Sequence, residues 1–296
     1  MTRNWTAAMH ILILSCPTFG QATDRSAPAA RAPTSQPAPT GQMASIALPD
    51  AAPSAPGFLY KTLQHQGETY AYSLFVPPEY TPERAWPVIL SLHGSGERGS
   101  DGFLQTEVGI GTAIRRHASL FPTLVVMPQC RPGQTWIGPM GEIALRCVEQ
   151  TSREYRLDPD RIYLTGLSLG GHGAWHLAAA LPGRFAAVVP VCGFAELGKS
   201  TGVAEKLAAN LKGQPIWCFH GARDQAVPVE KTRELVAAIK AAGGQVTYTE
   251  YADGAHNVWD RAYADRELWR WLFEQRRAPA SQATQPAAPS APPTAD

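Results

Sequence analysis

The stretch Arg161-Ile162-Tyr163-Leu164-Thr165-Gly166-Leu167-Ser168-Leu169-Gly170-Gly171 decides the fold. Ile162–Thr165 is a short apolar run with strand character. The pattern that follows, Leu169–Leu181, reads as a helix stopped by Pro182-Gly183. At the joint stands Gly166-Leu167-Ser168-Leu169-Gly170, a G-x-S-x-G between strand and helix. A strand that turns abruptly into a helix strains the residue at the corner. Gly166, Gly170 and Gly171 remove side chains that would collide there. The Ser168 hydroxyl then projects from the carboxyl edge of a sheet, over a helix N-terminus that favours developing negative charge. The bland alternative is an ordinary glycine-rich turn. The placement of strand and helix favours a nucleophile.

Working outward, eight segments read as strands. Leu59–Gln64 and Tyr70–Val76 flank Gln66-Gly67-Glu68, a hairpin signal. The others are Val88–Leu92, Leu124–Met127, Ile162–Thr165, Ala187–Val191, Ile216–Phe219 and Val246–Tyr251. Most are apolar without alternation, which suits strands covered on both faces of a parallel sheet. Helical patterns at Glu142–Tyr155, Leu169–Leu181, Val229–Ala242 and Arg261–Arg276 fall between or after them. A hairpin followed by β/α alternation predicts an α/β fold: a mostly parallel sheet of about eight strands with helices on both faces.

A serine hydroxyl needs a base to take its proton. Of the eight histidines, His256 lies on the loop between the last strand and the last helix, at the serine's edge of the sheet. His93 and His220 each follow a strand directly, in His-Gly. His172 and His176 share one helix face at a metal-like i, i+4 spacing, but no third ligand is evident, so packing or helix-face hydrogen bonding is the better reading. An acid must orient the imidazole. Asp224 follows the strand Ile216–Phe219 on the same edge; Glu196 and Asp253 are its rivals. The tetrahedral intermediate of acyl transfer needs preorganised backbone N–H donors. Leu169 N–H, immediately after the serine, is one. The loop His93-Gly94-Ser95-Gly96-Glu97-Arg98-Gly99 should supply the other, with Ser95 favoured and Gly94 or Gly96 as alternatives. Glu97 and Arg98 read either as substrate contacts or, the better reading, as an ion pair holding that loop.

The order Ser168, Asp224, His256 is that of α/β-hydrolases. The segments Leu92–Gly99, Arg161–Gly171, Arg184–Ala187, Phe219–Ala222 and His256–Asp260 together resemble secreted bacterial α/β-hydrolases often labelled "predicted peptidase". These are related to polyhydroxybutyrate depolymerases, feruloyl esterases and acetyl xylan esterases. The resemblance covers 58–277 and implies an α/β-hydrolase fold with the triad Ser168, Asp224 and His256. It also implies ester hydrolysis through an acyl-enzyme, without metal or organic cofactor. Leu169, where Met is common, and Gln225, where a second acid often follows the Asp, depart from the pattern without touching the chemistry. A serine peptidase and a non-catalytic envelope- or carbohydrate-binding domain are the alternatives. Cys192–Gln214 is too short for a folded cap, so the expected site is open and suited to esters on bulky or polymeric substrates. Trp259 and Trp136 are candidate lining residues, with core packing the stronger reading for Trp136.

Length and charge bound the rest. The chain has 296 residues, with 26 Lys and Arg against 25 Asp and Glu. It carries no basic run of the kind phosphate neutralisation requires, which argues against a nucleic-acid partner. Seven prolines and ten alanines fall within 23–57, and five prolines and seven alanines within 278–296. Such segments lack the large apolar side chains that offset ordering entropy, and read as a disordered linker and tail around a catalytic domain at 58–277. Residues 1–22 read as an export signal: Arg3, an apolar core at Ile11–Leu14, and small residues at Gly20 and Ala22. This places the protein in the periplasm or outside the cell. Ile13-Leu14-Ser15-Cys16 also resembles a lipoprotein box, which would make Cys16 a lipid anchor. No segment is long and apolar enough for an integral membrane span. Among Cys130, Cys147, Cys192 and Cys218, the first two flank one loop; a disulfide there and four buried thiols are the two open readings.

Overall fold

The computed structural model describes residues 56–196 and 202–277, which lie within one compact unit. The expected export signal with Cys16, nearly all of the Pro/Ala-rich linker, and the tail fall outside the described residues. The strands are β1 (Gly57–His65), β2 (Glu68–Val76), β3 (Trp86–Leu92), β4 (Leu124–Pro128), β5 (Leu157–Leu167), β6 (Ala187–Val191), β7 (Trp217–Gly221) and β8 (Thr247–Tyr251). They form one sheet in the order β1-β2-β4-β3-β5-β6-β7-β8. The β1–β2 and β2–β4 pairs are antiparallel; the remaining pairs are parallel. This is the expected architecture.

Every residue of β3, β4 and β6 is buried, the signature of strands covered on both faces. Strand alternation then splits the core in two. Val88, Leu90, Leu92, Val126, Leu164 and Val188 face one cluster, with residues of α2 (Pro139–Glu154), α3 (Leu169–Ala180), α4 (Val203–Leu211) and α5 (Glu230–Ala241). Ile89, Val125, Tyr163 and Val189 face the other, with residues of α1 (Ile110–Arg116), α6 (Trp259–Ala264) and α7 (Arg266–Glu274). Each fully buried aliphatic side chain contributes about 1.5–3 kcal/mol. The sheet is therefore a stiff platform for its carboxyl-edge loops. Between β6 and β7, the helix described is α4, with no cap among the described residues.

Two expectations change, and one open choice is decided. The last helix is broken in two: Asp265 takes an extended conformation and its carboxylate accepts from Glu267 N, capping α7. Strand β5 starts at Leu157 rather than Ile162, because Trp86 pairs with Leu157 across a register shift. The Cys130–Cys147 disulfide does not form; all four body cysteines are free and buried. No helix among the described residues is long and apolar enough to cross a membrane.

Candidate active site

Ser168 stands at the junction of β5 and α3 with φ 53° and ψ −116°, a backbone region that non-glycine residues rarely occupy. The flanking glycines explain how the corner closes. A Cβ on Gly166 would overlap Gly170 O, and one on Gly170 would overlap Leu92 O and lie 2.7 Å from His93 O. The strained residue is held by Ser168 N donating to Val191 O at 2.9 Å, and by His172 N donating to Ser168 O at 2.9 Å. Ser168 itself is half-buried and opens to the surface.

The loops after β7 and β8 bring the other two residues to it. His256 Nε2 lies 2.9 Å from Ser168 Oγ, and His256 Nδ1 lies 2.6 Å from Asp224 Oδ2. The Asp224 carboxylate is fixed at its other oxygen, where Oδ1 accepts from Ala226 N at 2.9 Å and Val227 N at 2.8 Å. Burial alone would raise the Asp224 carboxyl, but hydrogen bonds from His220, His256 and Val227 N outweigh it and hold the group well below the usual carboxylate range. The acid is thus ionised near neutral pH. The other acids are engaged elsewhere: Glu196 pairs with Lys231 at 3.2 Å and Asp253 with Arg261 at 2.7 Å.

The loop after β3 passes beside the serine: a Cβ on Gly94 would lie 3.6 Å from Ser168 Cβ. Ser95 on this loop is exposed, whereas Leu169 at the start of α3 is buried. The loop is braced from below. His93 Nδ1 donates to Gly94 O at 2.6 Å, and its Nε2 accepts from Cys130 N at 2.8 Å. Burial pushes the His93 imidazole down to about 4, so it stays neutral in this acceptor role near neutral pH. Gln129 Nε2 donates to Glu97 O and Asp101 Oδ2, both at 3.1 Å, and its Oε1 accepts from Gly102 N at 2.7 Å.

Trp136 belongs to this brace and does not line the site. It is 1% exposed, packs edge-on against His93 and donates Nε1–H to His93 O at 2.9 Å. Glu97 and Arg98 make no ion pair with each other. Glu97 folds back beneath Gly94, where burial raises its carboxyl, and Arg98 lies against Cys130. Trp259 is half-exposed and meets the His256 ring edge-on at 5.3 Å. His172 and His176 bond Phe194 O and Ala195 O at 2.8 and 2.6 Å, a structural role. Cys192 Sγ, a nitrogen of His220 and a carboxylate oxygen of Asp224 lie within 4.8 Å of one another, as metal ligands would. Each is already committed. Cys192 Sγ donates to His256 O at 3.1 Å, and burial pushes its thiol up, away from the thiolate a metal requires.

The sheet order, the β5–α3 elbow and the serine–imidazole–carboxylate geometry at the carboxyl edge define an α/β-hydrolase fold. The comparisons narrow the class: residues 145–266 match the family described as Phospholipase/Carboxylesterase. A structure described as a thermostable esterase is similar at 34% identity and TM-score 0.63, over 74% of this chain and 63% of that one. A ferulic acid esterase shares the fold at 16% identity and TM-score 0.61, over 73% of this chain and 98% of that one. A bifunctional acetylxylan esterase/xylanase from Neocallimastix patriciarum is 23% identical over 212 residues, 70% of this chain and 29% of that protein. An uncharacterized secreted protein from Arthroderma benhamiae is 24% identical, over 66% of this chain and 24% of that protein. The chain thus spans less than a third of the length of these curated relatives. The chain has the α/β-hydrolase fold, and part of it matches the Phospholipase/Carboxylesterase family.

Proposed function

We propose that the protein is a serine carboxylic ester hydrolase with Ser168 as nucleophile, His256 as general base and acid, and Asp224 as its orienting carboxylate. One observation carries this reading: a continuous relay of 2.9 Å from Ser168 Oγ to His256 Nε2 and 2.6 Å from His256 Nδ1 to Asp224 Oδ2. Ser168 Oγ attacks the ester carbonyl as His256 Nε2 takes its proton. Leu169 N–H and Ser95 N–H stabilise the oxyanion. His256 then protonates the departing alcohol, and water activated by the same nitrogen releases the acid. A half-exposed serine, an aromatic rim at Trp259 and a short β6–β7 connection favour esters on bulky or polymeric substrates, among them esterified polysaccharides. An exported enzyme, processed at 1–22 or anchored through a lipid at Cys16, fits that substrate class.

The test is hydrolysis of p-nitrophenyl acetate by wild type and Ser168→Ala. Loss of turnover in the variant is the expected result; equal turnover refutes the nucleophile. Acetylated xylan, feruloylated oligosaccharide, hydroxybutyrate oligomer and peptide, compared by kcat/KM, then test the substrate class. A preference for peptide overturns the esterase reading.

A further inference from the structure

A second histidine serves the carboxylate of the relay. His220 is the penultimate residue of β7, and it and Asp224 are each 0% exposed at the side chain. His220 Nε2 lies 3.0 Å from Val227 O and 3.1 Å from Asp224 Oδ2. A carbonyl only accepts, so Nε2 carries a hydrogen and is a donor to Oδ2 as well. The other end of the ring is pinned: Nδ1, the acceptor in this tautomer, takes the hydroxyl hydrogen of Thr232 on α5 at 2.7 Å, and that Oγ1 also lies 2.9 Å from Gly193 O. The ring therefore has no free rotation.

On the catalytic side, Ser168 Oγ–H points at His256 Nε2, so the hydrogen of His256 sits on Nδ1 and is donated to Asp224. Both imidazoles thus donate to the same oxygen, Oδ2, while two backbone N–H groups occupy Oδ1. Four donors on one buried carboxylate leave it no freedom to turn. The ionisable groups facing His220 are Asp224 and His256 on the loops, Cys192 at the end of β6, and Glu250, its register partner on β8. Glu250 is itself held by Arg233.

We propose that His220 is a positioning residue for the relay: it aims Asp224 Oδ2 at His256 and shares that oxygen's charge. The inference rests on the serine esterase reading and deepens it. Asp224 stabilises the protonated form of His256, and it does so less strongly while part of Oδ2 is committed to His220. Catalysis starts from neutral His256. Removing the His220 donor therefore leaves Oδ2 to His256 alone, strengthens its hold on the proton, and moves the acid side of the pH–rate profile upward.

The experiment is the pH dependence of kcat/KM for p-nitrophenyl acetate, from pH 5 to 9, with the full chain. His220→Leu removes the donor at similar bulk. His220→Asn is a smaller polar replacement whose amide does not reach Asp224. His220→Gln returns an N–H at the Nε2 position. The acid limb should move up in the Leu and Asn variants, so that at the wild-type half-maximum the rate falls about three- to tenfold relative to each variant's own plateau. His220→Gln should restore the ratio to within about twofold. A purely structural role predicts loss at every pH with the limb in place, and that result overturns the proposal. If His220→Leu does not fold, His220→Asn against His220→Gln decides alone. Ser168→Ala is run beside them: activity surviving there refutes the serine reading, whereas a dead Ser168→Ala with unmoved His220 variants refutes only the role of His220.

Discussion

Asp224→Asn is the sharpest perturbation of the relay because both orientations of the new amide conflict with what surrounds it. The native carboxylate accepts four hydrogen bonds and donates none: two backbone N–H groups at Oδ1, and the nitrogens of His256 and His220 at Oδ2. If the amide oxygen stays at Oδ1, the NH2 group faces two imidazole N–H groups. His220 cannot turn its hydrogen away, because Val227 O needs it. His256 can escape only by changing tautomer, which puts its hydrogen on Nε2, facing Ser168 Oγ, where no proton can then be accepted. If the amide flips, its NH2 meets Ala226 N–H and Val227 N–H instead. Either way the base is lost or mis-set. Turnover of p-nitrophenyl acetate should fall about 10³–10⁴-fold, equivalent to about 4–5 kcal/mol in the barrier, with KM nearly unchanged because no substrate contact is removed. Far-UV circular dichroism would establish that the variant is folded. A folded Asp224→Asn enzyme within tenfold of wild type at pH 7.5 would refute the assignment of Asp224 and return Glu196 and Asp253 to consideration.

Other consequences are as specific. His93 and His172 are both lowered to about 4, first by burial, so the unfolded chain binds their protons more readily than the fold does. Their contribution is complete above about 6.5 and is lost as pH falls toward 4, on the order of 3 kcal/mol each. Urea unfolding should show stability dropping between pH 7 and 5, with a flatter dependence in His93→Gln. Gly170→Ala should abolish the folded elbow or cost several kcal/mol, since its Cβ overlaps Leu92 O; Gly213→Ala, whose Cβ meets nothing within 4 Å, should leave Tm and activity unchanged. Trp136→Phe keeps the ring contact and loses the bond to His93 O, so it should cost about 1 kcal/mol of stability. Its kcat should fall several-fold with KM held if the brace orients the oxyanion loop.

The sequence made the strands and the elbow legible because those signals are local. An apolar run, a glycine pair and a helix stop lie within about twenty residues of Ser168, and period and turn chemistry suffice to read them. The placement of Asp224 and His256 beside Ser168 was legible for a related reason: topology alone sends the loops after β7 and β8 to the edge where Ser168 emerges. What was not legible has another origin. Trp136 sits in a polar, glycine-containing loop, and nothing within that loop shows that its indole nitrogen finds the carbonyl of His93, forty-three positions away. Glu97 and Arg98 are adjacent charges, but neighbouring side chains on a loop need not face each other. The break at Asp265 had a visible cue, a capping aspartate two residues before Glu267, that the strong apolar periodicity around it overrode.

The strain at Ser168 is not an isolated feature. The ends of the central strands are tied in sequence across the sheet, and each tie holds an element of the candidate site. Ser168 N donates to Val191 O at the end of β6, and Cys192 N donates to Phe219 O in β7. Cys192, like Ser168, has a positive φ, 49° against 53°. Its thiol then reaches His256 O at 3.1 Å. Phe219 is followed by His220, which fixes Asp224, and Gly221 lets the His256 loop approach so closely that a Cβ there would overlap Gly254 O. Two unfavourable backbone conformations cost on the order of 1–3 kcal/mol each, and they persist only where the surroundings over-determine them. Here the surroundings are the buried sheet itself. The strained residues are those that convert regular strand ends into the turns that present Ser168 and the carbonyl-anchored His256 to each other, so relaxing either would lengthen the serine–imidazole contact on which the proposed chemistry depends.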